Sequence, residues 1–541
     1  MPVVEISLSH LKRLVGGDVE EQRLLEELPY VGLDIEGQEE DRVRVEYSPN
    51  RPDLGTVFGI ARALRGLLGL QEGPHDYPLL KGSVEVIVHR GLEGVRPHIA
   101  CAVARGLRLN DEALRQLIGL QEDLHRGLGR GRRLASIGLH DLSPLRPPIH
   151  YEPQGPEFRF IPLGQSAQMS LQEVLSRLEQ GRAYGALVPP GGPYPILRDE
   201  EGQVLSFPPI INGVVTQLTE STTEIFVDVT GTSRAPVESC LNIIATTLAE
   251  MGGRLETVLV KHPQGAQLYP DLSPREERVD IRLINGLLGL KLTPEAIRRL
   301  LLRQGFGVRS ARGGIVALVP AYRCDVLHPV DLAEEVALAY HYGRLKPLLP
   351  SQRGLGRPLP RTAPLAKLRE LLLGLGFLEV VTPTLVSREL AGEGALELEH
   401  SKSAEHSYLR TSLLFPLLEA LSRNRHVEYP QRLFEIGRVF PHKSEELHLG
   451  LVVAEAKASF SSIASVIERL NALLFRGLLS LRPYEASELI RGRAASLYLE
   501  GQVGLMGEVA PQLLERFGLP VPVAYAELHL DALLQALLQK V

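Results

Sequence analysis

The stretch AYRCDVLHPVDLAEEVALAYHYG, residues 321–343, sets a group of acids at the head of an apolar helical repeat. Pro329 has the fixed φ of a first helical turn and Gly343 suits a helix end, so the spacing predicts a helix between them. On such a helix Asp331, Glu334 and Glu335 stand at i, i+3 and i+4 and share one face. Asp325 is expected at the end of the preceding strand, within reach of the same face. Four carboxylates this close repel one another and have raised pKa values unless a cation lies among them. Oxygen donors without His or Cys favour Mg²⁺, which keeps several waters and often leaves part of its coordination to a partner. Acids in a first helical turn also complement the positive end of the helix dipole, and the spacing alone leaves that alternative open.

Upstream, residues 268–346 read as a compact α+β unit. Thr293-Pro294-Glu295 is a helix start with a hydroxyl cap, Pro at the first position and an acid in the first turn; the helix closes at Gly305. A Gly313-Gly314 hairpin and the strand IVALVP follow. Residues 1–85 carry the turn SPNRPD at 48–53, with Asp53 expected to cap a helix on which Leu54, Val57, Phe58, Ala61, Leu64 and Leu68 recur. Residues 86–265 alternate the strands VEVIVH, CAVARGL and IFVDVTG with helices at 112–125 and 237–251. Downstream, a Pro/Arg/Gly-rich linker at 347–362 leads to a mixed domain over 363–541. There Leu365, Leu368, Leu372 and Leu375 line a helix, followed by the strands FLEVVTPTLV, RLFEIGRVF and LHLGLVVAEA.

Composition narrows the classes. At 541 residues the chain exceeds one hydrophobic core, and 44% hydrophobic with 23% charged residues is ordinary for a globular protein. A net charge of −6 excludes a polybasic nucleic-acid binder, so any RNA contact is local or made by a partner. Cys101, Cys240 and Cys324 form neither a disulfide framework nor a zinc motif, which fits a reducing cytoplasm. No stretch approaches the ~20 uncharged apolar residues of a membrane span, and the N-terminus lacks a signal-peptide core.

The string R-x-D-x-x-x-x-x-D-x-x-E-E, followed by an apolar helix and a Tyr-Gly end, resembles the B5 domain of phenylalanine–tRNA ligase β subunits, of the archaeal/eukaryotic cytosolic type. The resemblance implies that Asp325, Asp331, Glu334 and Glu335 bind Mg²⁺ where an α subunit docks. SPNRPDL at 48 onwards is similar to that family's N-terminal B1 domain, and HRGLGRGRRLASIGLHDL, PILRDEEGQVLSFPPIING and IFVDVTGT to its B3/B4 editing domain. LRTSLLFPLLEALSRN with LFEIGRVF resembles its degenerate class II synthetase-like antiparallel-sheet domain (B6/B7). The implied fold is α+β multidomain, and the implied assembly an (αβ)₂ heterotetramer in which the α subunit holds ATP and phenylalanine and tRNA(Phe) is the nucleic-acid partner.

A class II active site needs arginines to hold ATP phosphates. Here the candidate strand reads Arg432-Leu433-Phe434-Glu435 and the C-terminal region has no GxGxxxR, so no amino-acid activation is expected of this chain alone. The B3/B4 resemblance implies instead hydrolysis of mischarged Tyr-tRNA(Phe). Within 195–232 the polar groups expected to act are Ser206, Asp228 and Thr230, with Leu197 as a wall and Asn212 as a substrate contact. Neither a Ser/His/Asp order nor HExxH is present, so a water held by hydrogen bonds is the expected nucleophile. Arg130, Arg132 and Arg133, in a Gly-Arg loop, are candidates for tRNA phosphates, with a plain basic loop as the alternative. Two other readings stand beside this one: a structural subunit with a decayed editing site, and a stand-alone aminoacyl-tRNA deacylase.

Overall fold

The computed structural model describes residues 2–311, 314–349, 354, 356–499 and 501–539. The chain forms two compact units, 1–348 and 349–541, divided inside the 347–362 stretch.

Among the described residues the first unit holds three larger sheets and a two-stranded pair, Arg159–Phe160 with Met169–Ser170. The N-terminal one is antiparallel, in the order Val3–Ser7, Arg42–Tyr47, Leu33–Glu39. It shares a core with the helices Leu8–Val15, Glu21–Val31 and Val57–Leu67, through Leu11, Leu24, Val43, Val45, Ile60 and Leu64. The second is a ten-stranded sheet in which Ile149–Gln154, Leu79–Val88, Arg254–His262, His98–Arg105 and Glu224–Gly231 run in that order to the edge strand Ala135–Asp141. Leu79–Val88 straddles position 85 and belongs wholly to this sheet. The run CAVAR is apolar on both faces because helix Arg234–Glu250 covers one side; its 17 residues bring Val237, Leu241, Ile244 and Leu248 into the core. The third sheet, Arg275–Val279, Gly314–Val319, Gly307–Ala311, packs with the helices Ile281–Leu288, Pro294–Arg303 and Pro329–Tyr340 around Ile297, Leu301, Phe306 and Val336. The turn expected at Gly313-Gly314 lies partly outside the described residues, although Ala311 and Gly314 pair across it.

The second unit is a seven-stranded sheet ordered Leu378–Glu379, Gln431–Val439, Glu446–Ala454, Val523–His529, Gly501–Val509, Leu489–Leu499, Ser480–Pro483. All its pairs are antiparallel except the first. Phe434, Leu449, Leu451 and Ala526 face one core, and Leu433, Val452 and Tyr525 face another under helix Leu414–Arg423.

Four local expectations change. Asp53 caps no α-helix: Thr56 does, its hydroxyl accepting from Gly59 N, while Asp53 is buried in a 3₁₀ turn. Asp325 lies in the loop beyond the strand, which ends at Val319. The acid-bearing helix ends at Tyr340 rather than near Gly343, because His341 turns to a left-handed φ of 71°. FLEVVTPTLV is two short strands in different sheets, Leu378–Glu379 and Leu385–Val386, since Pro383 has no N–H for a continuous ladder.

Candidate functional site

Neighbouring strands Ala135–Asp141 and Glu224–Gly231 are antiparallel, with Thr230 opposite Ser136 and Asp228 opposite Gly138. Side chains alternate along a strand, so Ser136, Gly138 and His140 share a face with Phe226, Asp228 and Thr230. Ser136, Gly138 and Asp228 on that face line a cavity of about 390 Å³, within the size of small-ligand sites. A Cβ at Gly138 would collide with the Asp228 carboxylate and the His140 ring, so the absence of a side chain there lets the two meet. His140 Nε2 lies 2.7 Å from Asp228 Oδ2, and His140 Nδ1 lies 2.8 Å from Thr216 Oγ1; all three residues are buried. An ionised carboxylate only accepts, so Nε2 donates to Asp228 and, in a neutral ring, Nδ1 accepts from the Thr216 hydroxyl.

Ser206 and Asn212 face each other across the paired strands Val204–Phe207 and Ile211–Asn212, and both line the cavity. Ser206 Oγ is fully buried and has no hydrogen-bond partner among the described residues. Buried hydroxyls are nearly always paired, so an orphan in a cavity wall is a natural contact for a ligand atom. At another part of the wall the Arg132 Nη2 donates to Glu122 Oε1 at 2.9 Å, and His125 Nδ1 approaches the same oxygen at 3.2 Å. Ile137 N donates to His125 Nε2, which fixes the proton on Nδ1. These contacts, the hydrogen bond from His125 first and despite burial, hold the Glu122 carboxyl at about 2.

Of the five expected pocket residues, Ser206, Asn212 and Asp228 line this cavity. Leu197 is buried in the core of the large sheet. Thr230 is enclosed with Ser136 by Arg96, whose Nε donates to Thr230 Oγ1 at 2.9 Å and Nη2 to Ser136 Oγ at 2.9 Å. Burial pulls the Arg96 guanidinium down to about 10. Glu122 and Thr216 line the cavity and His140 backs Asp228, and none of the three carries a local sequence signal. Arg132, expected as a phosphate contact, turns inward and lies 4.2 Å over the Tyr184 ring, while Arg130 and Arg133 stay exposed.

A second constellation surrounds the acids of residues 325–335. Arg323 lies between Asp325 and Glu335, donating to Asp325 Oδ1 and Oδ2 at 2.9 and 2.7 Å and to Glu335 Oε2 and Oε1 at 3.3 and 2.5 Å. Arg51 holds Asp53 through both oxygens at 2.9 and 3.0 Å and comes within 3.9 Å of Glu335. Arg62 lies 3.5 Å from Asp53 and 3.7 Å over the Tyr322 ring. Burial raises the Asp53 and Asp325 carboxyls, but the arginines outweigh it: Asp53 is held at about 2 and Asp325 is also lowered. The cations among these acids are therefore, in the first place, the chain's own arginines. Asp331 Oδ2 accepts from Leu327 N and His328 N at 2.7 Å each, closing the helix start.

Glu334 differs. Burial and then the charges of Glu335, Asp331 and Asp325 raise its carboxyl, and it has no ion pair among the described residues. That surplus is what a divalent cation relieves. Among the described residues, the oxygens of these acids that make no hydrogen bond or ion pair are Asp331 Oδ1 and the Glu334 carboxylate, hard donors of the kind Mg²⁺ takes with water. By donor chemistry Glu334 and Asp331 suit Mg²⁺, with the Arg323-bound Asp325 and Glu335 behind them, although among the described residues no three of these acids bring oxygens to metal-ligand spacing.

Residues 278–342 match the family model described as tRNA synthetase B5 domain, and residues 345–530 the one described as phenylalanyl tRNA synthetase beta chain CLM domain. The chain is 39% identical over 543 residues to a phenylalanine–tRNA ligase beta subunit of Archaeoglobus fulgidus, covering 98% of each. It is 40% identical to that of Methanothrix thermoacetophila, covering 98% of this chain and 100% of the other. An N-terminal fragment of the phenylalanyl-tRNA synthetase beta subunit from Pyrococcus horikoshii superposes with a TM-score of 0.60 at 36% identity, over 63% of this chain and 99% of the fragment. Among the described residues no helix is long and apolar enough to cross a membrane.

Proposed function

The chain belongs to the phenylalanine–tRNA ligase β-subunit family, a component of an aminoacyl-tRNA ligase, and from that premise we propose that it is the docking and proofreading half of an (αβ)₂ enzyme. The α subunit binds ATP and phenylalanine and charges tRNA(Phe); this chain hydrolyses Tyr-tRNA(Phe) in the cavity over Asp228. The need is physical. Tyrosine differs from phenylalanine by one hydroxyl, and an apolar synthetic pocket rejects an added hydroxyl only by about 10²-fold.

The observation that carries the proposal is the cavity lined by Ser206, Thr216 and Asp228, in which the Ser206 hydroxyl has no partner among the described residues and Asp228 is tied to Thr216 through His140. Asp228, fixed by His140, takes a proton from water as the water oxygen adds to the ester carbonyl, and returns that proton to the ribose oxygen of tRNA as the C–O ester bond breaks. Ser206 and Asn212 orient the aminoacyl group. Glu334 and Asp331, with Asp325 and Glu335 behind them, would hold Mg²⁺ at the head of the acid-rich helix, where the ion would supply positive charge for contact with the α subunit. The second unit, without the phosphate-binding arginines of a class II site, builds interface rather than adenylate.

The test is deacylation of Tyr-tRNA(Phe) by the αβ complex. Asp228→Ala should slow it by about 10²-fold or more, with Phe-tRNA(Phe) synthesis unchanged. Deacylation at the wild-type rate overturns the assignment. Loss of both activities would point to a scaffolding role alone.

A further inference from the structure

Strand Ile149–Gln154 lies parallel to Leu79–Val88, with His150 beside Ile87 and Tyr151 beside Val88. His89 follows directly, its N–H donating to Tyr151 O at 2.8 Å. Alternation puts His150 and Glu152 on the same face of their strand, and the chain end at His89 reaches over it. His89 Nε2 lies 3.0 Å from His150 Nδ1 and 3.9 Å from Glu152 Oε2, and the three atoms are all within 4.8 Å of one another.

From this convergence we propose that His89, His150 and Glu152 bind a borderline divalent metal ion of the zinc type. Imidazole and carboxylate are zinc donors, and ligand bonds of 2.0–2.1 Å at tetrahedral angles set neighbouring donors about 3.3 Å apart. The observed 3.0 and 3.9 Å bracket that spacing.

A second, independent feature points the same way. His150 Nε2 lies 2.8 Å from Glu200 Oε2. A carboxylate that takes the far N–H of an imidazole fixes its tautomer, aims the other nitrogen's lone pair and raises its basicity, the usual outer support of a metal-bound histidine. Here the aimed lone pair is His150 Nδ1, directed at His89. Arg198 orients Glu152 through both oxygens, its Nε donating to Oε1 at 2.6 Å and its Nη2 to Oε2 at 3.3 Å, and Oε2, the more loosely held, is the oxygen nearest His89. The site opens to solvent: the His89 side chain is 41% exposed, against 15% for His150 and 10% for Glu152. Three protein donors with one open side leave a fourth position for water or for a donor from another molecule.

The other His-containing cluster with metal-ligand spacing, Glu446, His448 and His529 in the second unit, has a different character. There His448 is clasped by Glu527 and Glu446 and its proton affinity is raised despite burial, so both of its nitrogens already serve as donors.

Zinc uptake by the full-length chain, measured by competition with a chromogenic chelator in excess Mg²⁺, tests the proposal. Wild type should take up one equivalent of Zn²⁺ that His89→Asn lacks. The exposed His89 makes that variant safe for folding. Glu200→Gln, which keeps all three ligands, should weaken the same equivalent by about 10–100-fold. Cobalt(II) should give a four-coordinate visible spectrum in wild type and not in His89→Asn. Equal zinc uptake by wild type and His89→Asn, or none by either, overturns the site and leaves a plain imidazole–imidazole hydrogen bond.

Discussion

Arg323 is buried, and its guanidinium is shared between Asp325 and Glu335, with Arg51 and Asp53 alongside. A buried ion pair adds little over a well-packed apolar pair, but removing one partner strands the others. Arg323→Met should therefore cost about 3–5 kcal/mol, seen as a lower denaturant midpoint in the full chain; a change below about 1 kcal/mol would show that water already screens the cluster. The signal for this centre stood in the sequence twice, as Arg51-x-Asp53 and Arg323-x-Asp325. Local reading gave Asp53 to a helix cap, because a cap is decided within four residues. Its nearest partner is the local Arg51, but the further cations that hold it ionised, Arg323 and Arg62, come from elsewhere in the fold. Likewise Asp228, Ser206 and Asn212 were legible as polar residues amid strands, but His140 and Thr216 gain meaning only from strand register and turn geometry. Thr230 carried the same local signal as Asp228 and is drawn instead into the Arg96 cage.

At the scale of elements, caps and amphipathic stripes carried most of the information. Helix Pro294–Arg303 begins as its Thr-Pro-Glu signature requires, Thr293 accepting from Ala296 N. Helix Pro329–Tyr340 starts at the expected proline, with Asp331 completing the cap. What sequence could not place was the end of that helix, since His341 adopts φ 71° beside the Tyr30 ring at 4.1 Å, a contact set by tertiary packing. The helix also concentrates charge, with Asp331, Glu334 and Glu335 on one side. Glu334→Gln should raise the thermal midpoint of the metal-free chain and shrink the rise produced by Mg²⁺. Equal stabilisation of wild type and variant by Mg²⁺ would remove the metal from this face.

Across the whole molecule, the three larger sheets of residues 1–348 are cemented by side chains from distant segments. Met251 touches the cores of both the large and the N-terminal sheet, and Arg303 donates to Leu67 O at 2.9 Å. The expected boundaries at 85 and 268 thus separate sheets more than folding units, whereas the break after 348 separates cores. A fragment of residues 1–348 should be soluble and unfold in one cooperative transition; two well-separated transitions would mean that its sheets are independent. Composition and strand patterns divide the chain into stretches of different texture. They could not reveal which regions share a core, because that depends on contacts hundreds of residues apart.

The Arg323 centre has a consequence for biosynthesis. Asp53 is made early, yet the arginine that helps hold it ionised and the acid that balances Arg51 lie at 323 and 335. At 5–20 residues per second the ribosome needs roughly 15–60 s to bridge that gap. During this interval the nascent N-terminal region carries an unfinished charge pattern, so its final locking waits until nearly the entire first unit has left the exit tunnel.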